Sequence, residues 1–439
     1  MILNLRTIWT PVKGALKKLG LYDFLFRTVF ENRLVLKVIA CRIRYRRLVE
    51  IAKHKPKDKK IRVLFIVSEI AKWKEQSLYE SMESSGEFYP IVGLSAWNRQ
   101  AGLSNEDMDA VHCRAEAFFD RLGDRHVRTV TVDGGRKIFH SLSEFSPDIV
   151  FYTEPWAPCE KQNPDDVSKY ALTYYVPYFV PNYGIVSWDC HQRFHQLLHG
   201  YFCLSQVWVN LYRSSLGFTA HATKFIPVGH PALDYFYRNR NRQPQMDYVI
   251  YAPHHSFPHK NRRHIQTYGT FEWNGLKMLE YAESHPEIKW VFKPHPVLWA
   301  TAIEEGFMTE QELRSYYERW RKIGIVCEDS NYQEYFIESR CMITDSGSFL
   351  SEYGATKRPI IHLICAQNQF VPPEASKAVY DTYYQVHTID ELYQALKLVV
   401  EERRDPNKEL RCEAVRNARL ADCDAAQNIV NYLLKVFER

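Results

Sequence analysis

From residue 61 onward the chain alternates between short unbroken apolar runs and longer stretches in which apolar residues recur every three or four positions. "IRVLFIVS" (61–68) has no polar interruption after Arg62, the pattern of a strand buried on both faces. A helical stretch over about 71–85 follows. Further strands are predicted at "YPIVGLS" (89–95), "VRTVTV" (127–132), "DIVFYT" (148–153), "VPYFVP" (176–181) and "TKFIPVG" (223–229). A polar break, "YRNRNRQPQMD" (237–247), stops the alternation. It restarts with strands at "YVIYAP" (248–253), "IKWVFKP" (288–294), "GIVCE" (324–328), "CMITD" (341–345) and "PIIHLI" (359–364). Helices are predicted between them at 271–284, 309–323, 331–339 and 347–354, and two or three more over 390–437. Strands alternating with helices imply βαβ units and parallel sheets. The expected class is therefore α/β, with two Rossmann-like domains (61–235 and 236–404) facing across a cleft. C-terminal helices (405–439) follow, and a helical arm (1–60) precedes.

Charge changes the picture of that arm. Residues 1–60 hold 16 Lys/Arg against 4 Asp/Glu, a net +12, so the rest, with 41 and 48, carries −7. Apolar residues at helical spacing run through 15–51, giving a basic amphipathic helix. Such a helix suits a peripheral anionic membrane surface or packing on its own body. The acidic body and the lack of any nucleic-acid-binding motif argue against nucleic acid as a partner. No segment reaches the roughly 18 apolar residues of a membrane span, and charges interrupt every apolar run near the N-terminus. The ten cysteines form no C-x-x-C pair or zinc-finger spacing. The expectation is a cytoplasmic protein with reduced thiols, peripheral at the inner face of the cell membrane.

In open α/β sheets ligands gather at the carboxyl ends of strands, and the chemistry-bearing residues sit there. "YAPHHSFPHKNRRH" (251–264) puts His254 and His255 just past a strand end, in a loop whose basic groups suit phosphate or carboxylate. "WVFKPHP" (290–296) places Lys293 as a point charge and holds His295 between two prolines, which narrow its orientations. "ITDSGSFLSEYGATKRPIIHL" (343–363) ends a strand at Thr344. Asp345-Ser346-Gly347-Ser348 then opens a helix, freeing backbone N–H groups for an anion. Glu352 follows one or two turns later, within reach of a sugar hydroxyl. A plain N-cap by Asp345 or Ser346 explains one such residue but not the whole run.

Strand–K-P-H-P followed about fifty residues later by strand–T-D-x-x-S–helix resembles the CDP-glycerol glycerophosphotransferases of teichoic acid and capsule synthesis. "YAPHHS" stands where many of them carry Y-A-P-T-x-R, and "VGHPALD" (228–234) is similar to their G-x-P-R-x-D segment. The resemblance spans roughly residues 175–400. It implies a GT-B fold with the nucleotide in the second domain, and His295, Thr344, Asp345, Ser346 and Ser348 around the CDP pyrophosphate or its glycerol side. The sequence departs from the family in three places. Gly347 replaces a serine, Ala232 replaces an arginine, and Tyr183 stands before Gly184 where the family has a histidine.

With that histidine missing, the first domain offers other bases. In "WDCHQRFHQLLHG", His191, His195 and His199 fall at i, i+4, i+8 on a predicted helix, with Asp189 beside them. Histidine accepts protons near neutral pH, so His191 or His195 assisted by Asp189 is the expected base, and no metal is required. Glu154, in "TEPWAP", is a second residue placed to contact an acceptor. The resulting expectation is transfer of glycerol phosphate, or a similar alditol phosphate, from a CDP-activated donor to a glycan or lipid-linked hydroxyl. The donor is a substrate and no cofactor is implied. Three alternatives share the same phosphate site: a GT-B glycosyltransferase using a nucleotide sugar, a non-catalytic nucleotide-binding scaffold, and a UDP-N-acetylglucosamine 2-epimerase. The last has a similar S-D-S-G-G helix start but a G-T-R-P-E turn where this chain reads "VSEIAKW".

Overall fold

The computed structural model describes residues 22–95, 105–123, 125–133, 136–155, 159–181, 193–216, 223–257, 268–328, 332–366, 372 and 374–439. The uninterrupted apolar runs become strands covered on both sides. The first sheet contains β1 (Ile61–Val67), β2 (Phe88–Leu94), β3 (His126–Arg128), β6 (Ile149–Tyr152), β7 (Leu172–Tyr175), β8 (Gly200–Cys203) and β9 (Lys224–Pro227). All seven are parallel, in the order β3-β2-β1-β6-β7-β8-β9. A small antiparallel hairpin, β4 (Val130–Asp133) and β5 (Arg136–Phe139), stands apart.

The second sheet contains β10 (Tyr248–Ala252), β11 (Trp290–Phe292), β12 (Gly324–Val326), β13 (Ser339–Thr344), β14 (Ile360–Leu363) and β15 (Tyr384–Val386). Its six parallel strands run β12-β11-β10-β13-β14-β15. Both sheets therefore wind outward in two directions from their first strand. Each has a switch point where successive crossovers leave on opposite sides, between β1 and β6 and between β10 and β13. These are the crevices in which such sheets bind ligands.

Three expectations are corrected in detail. The run 176–181 is not a strand; β7 lies just before it, because Pro177 and Pro181 lack the N–H groups a ladder needs. "VRTVTV" is two elements, since Thr129 breaks away to donate to Leu94 O through both its N–H and its hydroxyl. The stretch after β1 is a single turn over Ile70–Lys72, and the helix starts only at Gln76.

The chain's two ends both pack on the first domain. Helix α1 (Tyr22–Lys53) buries Val38, Cys41, Tyr45 and Ala52 along one face. The Tyr45 hydroxyl donates to Leu197 O at 2.9 Å, and Lys37 pairs with Asp165 at 2.7 Å. Helix α2 (Gln76–Ser84) covers the sheet beside α1. The last helix, α4 (Ala425–Val436), returns from the second domain and sets Ala426, Ile429, Val430 and Leu433 into the same core. "VGHPALD" is the joint for this return. The Asp234 carboxylate accepts from the N–H groups of Ala425 and Ala426 at 2.7 and 3.0 Å and from the Ser77 hydroxyl at 2.8 Å. His230 donates from Nε2 to Pro177 O at 2.8 Å. Among the described residues, no helix is long and apolar enough to cross a membrane.

Candidate functional site

The loops after β10, β11 and β13 converge at the second sheet's switch point; Asp345 fastens the third to the first, and His295 N and the Thr301 hydroxyl tie the second to the first through Pro253 O and His255 O. Asp345 accepts through Oδ1 from His254 N at 2.6 Å. Its Oδ2 accepts from the N–H and hydroxyl of Thr270, at 2.6 and 2.7 Å. Burial raises the pKa of this carboxyl while those donors pull it down. Thr344 is equally internal: its hydroxyl donates to Ala252 O at 2.6 Å and accepts from Ser346 N at 2.9 Å. Thr344 and Asp345 thus hold the loops to one another, so any ligand here meets what they position. Gly269 belongs to the same construction, because a Cβ there would lie 1.7 Å from Ser256 O.

What they position is a cluster of three imidazoles and a helix start. The rings of His254 and His255 are 4.4 Å apart, those of His255 and His295 4.2 Å, and those of His254 and His295 5.2 Å. One nitrogen from each ring lies within 4.8 Å of the others, close enough for a divalent ion to be considered. The hydrogen bonds point elsewhere. Ser256 Oγ accepts from Tyr268 N at 3.0 Å and from Gly269 N at 2.8 Å, so its own proton is left for His254 Nδ1 at 2.9 Å. Ser256 N also donates to that Nδ1, at 3.2 Å. Val297 N donates to His295 Nδ1 at 3.3 Å. With Nδ1 accepting, a neutral ring carries its proton on Nε2. Burial, reinforced by the neighbouring imidazoles and Lys293, pushes the pKa of His295 down to about 3; burial drives His254 well below the ordinary range and also lowers His255. His254 and His295 are accordingly fixed N–H donors, a combination suited to an anion's oxygens rather than to a cation.

Helix α3 (Gly347–Gly354) begins beside them, with Ser346 at its N-cap and making no side-chain cap bond. The first-turn N–H groups of a helix lack intrahelical acceptors and carry the positive end of its dipole. Ser346 is nearly buried and Ser348 exposed. Lys293 is buried, with its ammonium 5.6 Å from the ring centre of Tyr332. Glu352 bonds the Tyr332 hydroxyl and lies 3.5 Å from Lys74 of the first domain. Lys74 also donates to the Tyr332 hydroxyl and sits 4.8 Å above its ring. Tyr332 and Lys74 were not singled out in the sequence. The available signal was Lys74's place just after β1; Tyr332 has no motif around it.

The first sheet's switch point carries different chemistry. Glu154, just past β6, is buried and accepts from the Ser68 hydroxyl just past β1; Lys72 Nζ lies 3.3 Å from its other oxygen. His195 and His199 are not at this opening. The helix is only Arg193–Leu197, so His199 falls outside it. His195 is walled by Tyr175, Phe194 and Tyr201, and His199 by Tyr45 and Tyr174. Burial pushes both down to about 3. Asp189, His191, Tyr183 and Gly184 lie outside the described residues, as does 258–267 of the basic loop.

No family model matches the chain, and no curated protein matches it in sequence. Solved structures do match in fold. The UDP-GlcNAc 2-epimerase from Neisseria meningitidis, bound to UDP-GlcNAc, is 15% identical with a TM-score of 0.53, over 86% of this chain and all of that one. The wall teichoic acid polymerase TagF is 13% identical with a TM-score of 0.53, over 93% of this chain and 98% of that one. The S. aureus MnaA–UDP structure is 13% identical with a TM-score of 0.51, over 86% and 97%. Two parallel-sheet Rossmann-like domains with this coverage make the fold GT-B.

Proposed function

We propose that the protein is a nucleotide-dependent GT-B enzyme that transfers an alditol phosphate, glycerol phosphate being the leading choice, from a CDP-activated donor to a hydroxyl of a glycan or lipid-linked acceptor. The observation that carries the reading is the set of neutral N–H donors on His254 and His295 beside the Ser346–Ser348 helix start, at the second sheet's switch point. A pyrophosphate offers oxygens to both. Such donors, fixed before the donor arrives, stabilise charge that grows on the leaving CMP without further reorganisation. Asp345 and Thr344 act as the frame, and Lys293 supplies positive charge nearby. The K-P-H-P and T-D-x-x-S spacing favours transfer over epimerisation, as does "VSEIAKW" in place of the epimerases' G-T-R-P-E turn.

The arm supports a membrane-borne acceptor. Leu36, Ile39, Ile43 and Ile51 lie on the face of α1 opposite its buried residues, and Leu36 and Ile43 are 66% and 64% exposed. Arg46 and Arg47 are exposed beside them, the pairing of apolar and basic groups that anionic lipid surfaces attract.

The test is to incubate the protein with CDP-glycerol, or with UDP-N-acetylglucosamine as the rival, together with a glycerol-primed lipid or glycan, and to measure CMP release. His295→Ala and Ser346→Ala should each lower kcat/KM by about 10²–10³-fold, as expected for loss of one such donor. Epimerised UDP-sugar, or turnover untouched by both substitutions, overturns the reading.

A further inference from the structure

The proposed transfer needs a group to take the proton of the incoming hydroxyl, and His195 and His199 are sealed among aromatic rings. One carboxylate is placed for the task. β1 and β6 pair as far as Ile66 and Tyr152, and just past their carboxyl ends Ser68 and Glu154 bond from one strand end to the other. The loop leaving β1 continues to Lys72, 3.3 Å from Glu154, and two residues later to Lys74, which reaches Tyr332 and Glu352. Glu352 lies on α3, the helix whose start forms the anion site, five residues beyond Gly347. At about 1.5 Å per residue, that is a short distance along one rigid element. The loop leaving β1 therefore links Glu154, through Lys72 and Lys74, to the helix whose start forms the anion site.

Resting on the transfer reading above, we propose that Glu154 is the catalytic base, with Ser68 and Lys72 as its positioning residues. In the step, the acceptor oxygen attacks the phosphorus that bears the glycerol. A new P–O bond forms, the P–O bond to CMP breaks, and CMP leaves with that electron pair. The acceptor proton passes to the Glu154 carboxylate and later to solvent. Atoms and charge balance with no further reactant.

The surroundings keep Glu154 ready. Among the groups facing it are Ser68, Lys72 with its second partner Glu69 at 2.9 Å, and Glu75. Burial pushes Glu75 up to about 8, so it holds its proton at neutral pH and adds no competing negative charge. The Lys72 ammonium, 5.7 Å from the centre of the Tyr178 ring, offsets the charge of Glu154. The Ser68 hydroxyl on one oxygen and the Lys72 ammonium by the other fix the orientation of the carboxyl group.

The experiment compares wild type with Glu154→Gln, which keeps the shape of the side chain. Donor affinity is read from the thermal shift produced by CDP-glycerol, and chemistry from CMP release at saturating donor and acceptor. The expected result is an unchanged donor Kd with kcat lower by about 10²–10⁴-fold, the usual contribution of a general base. A variant rate within about threefold of wild type overturns the proposal, because a lost general base costs far more, and so does abolition of turnover by His191→Ala while Glu154→Gln stays active. Wild type that releases no CMP from CDP-glycerol is a different failure, that of the transfer reading itself. Should Glu154→Gln not fold, Ser68→Ala decides: kcat falls at constant donor Kd if the proposal holds, and is unaffected if it does not.

Discussion

The two domains share one strand order, yet they are built to different ends. One face of the second's sheet has a core of its own, while the other (Ile250, Val291, Met342) joins a cluster shared with the first domain. The second's own cluster is drawn from residues 249–400, and its switch point is a closed lattice of hydrogen bonds that aims neutral N–H groups outward. The first borrows material from both ends of the chain, and its switch point holds charged groups, Glu154 and Lys72. Donors suit a ligand that brings its own negative charge. An ion pair with a poised carboxylate suits a ligand that must give up a proton. On the proposed transfer reading, the activated phosphate would lie on one side of the cleft and the nucleophile on the other.

Several substitutions break or sharpen that contrast. The largest effect is expected at the second domain's frame. Asp345→Ala leaves three buried donors without their carboxylate and should cost about 3 kcal/mol in urea unfolding. It should also remove the thermal shift given by the donor. If the stability cost appears with donor binding intact, the frame does not set the site.

Next comes the acid sensitivity of the first domain. His195 and His199 have folded pKa values near 3, below the ordinary value of about 6.5. Between those values the unfolded chain binds more protons, so stability is fully present above pH 6.5 and is lost as pH falls toward 3. At about 1.4 kcal/mol per pH unit for each ring, His195→Phe should lose about 2 kcal/mol less than wild type between pH 7 and pH 5. An equal loss in both proteins would contradict the burial assigned to this ring.

A smaller effect is expected at the joint. Asp234→Ala takes the acceptor from the Ala425 and Ala426 N–H groups and the Ser77 hydroxyl, while Asp424 still caps α4; it should cost about 1–2 kcal/mol, read as a lower melting temperature for the first domain with the second unchanged. The smallest is on the outward face of α1. Ile43→Asp should move stability by no more than about 0.5 kcal/mol yet reduce sedimentation with anionic vesicles. Undiminished binding would remove this face from the proposed membrane contact.

Much of this organisation was legible along the chain. Apolar runs unbroken by polar residues read as strands covered on both faces, so most strands of both parallel sheets and the helices 271–284 and 347–354 follow from pattern, whereas β8 (Gly200–Cys203) and β15 (Tyr384–Val386) do not. The convergence of His254, His295 and Ser346 was also readable, because strand ends in such sheets meet at one edge. What pattern did not carry was partnership. Asp345 and Thr344 resemble ligand-binding residues in sequence, and only the loop-to-loop hydrogen bonds mark them as frame. His195 reads in sequence as a candidate base, but Tyr175 and Tyr201, which wall it in, come from β7 and β8, and local periodicity does not register them. Glu352 pairs with Lys74 across 278 positions, beyond any motif's span.

The return of α4 has a consequence for how the polypeptide is made. Asp234 meets Ala425 only after 191 further residues have been added. A chain emerging from the ribosome in order can complete the second domain's core while the first still exposes the surface that Ala426, Ile429, Val430 and Leu433 will cover. Domains that form early usually do so as finished units; here the earlier one waits for the later. During that interval the uncovered patch is a place for chaperones to hold and for aggregation to begin. Synthesis halted before residue 425 would leave it open permanently.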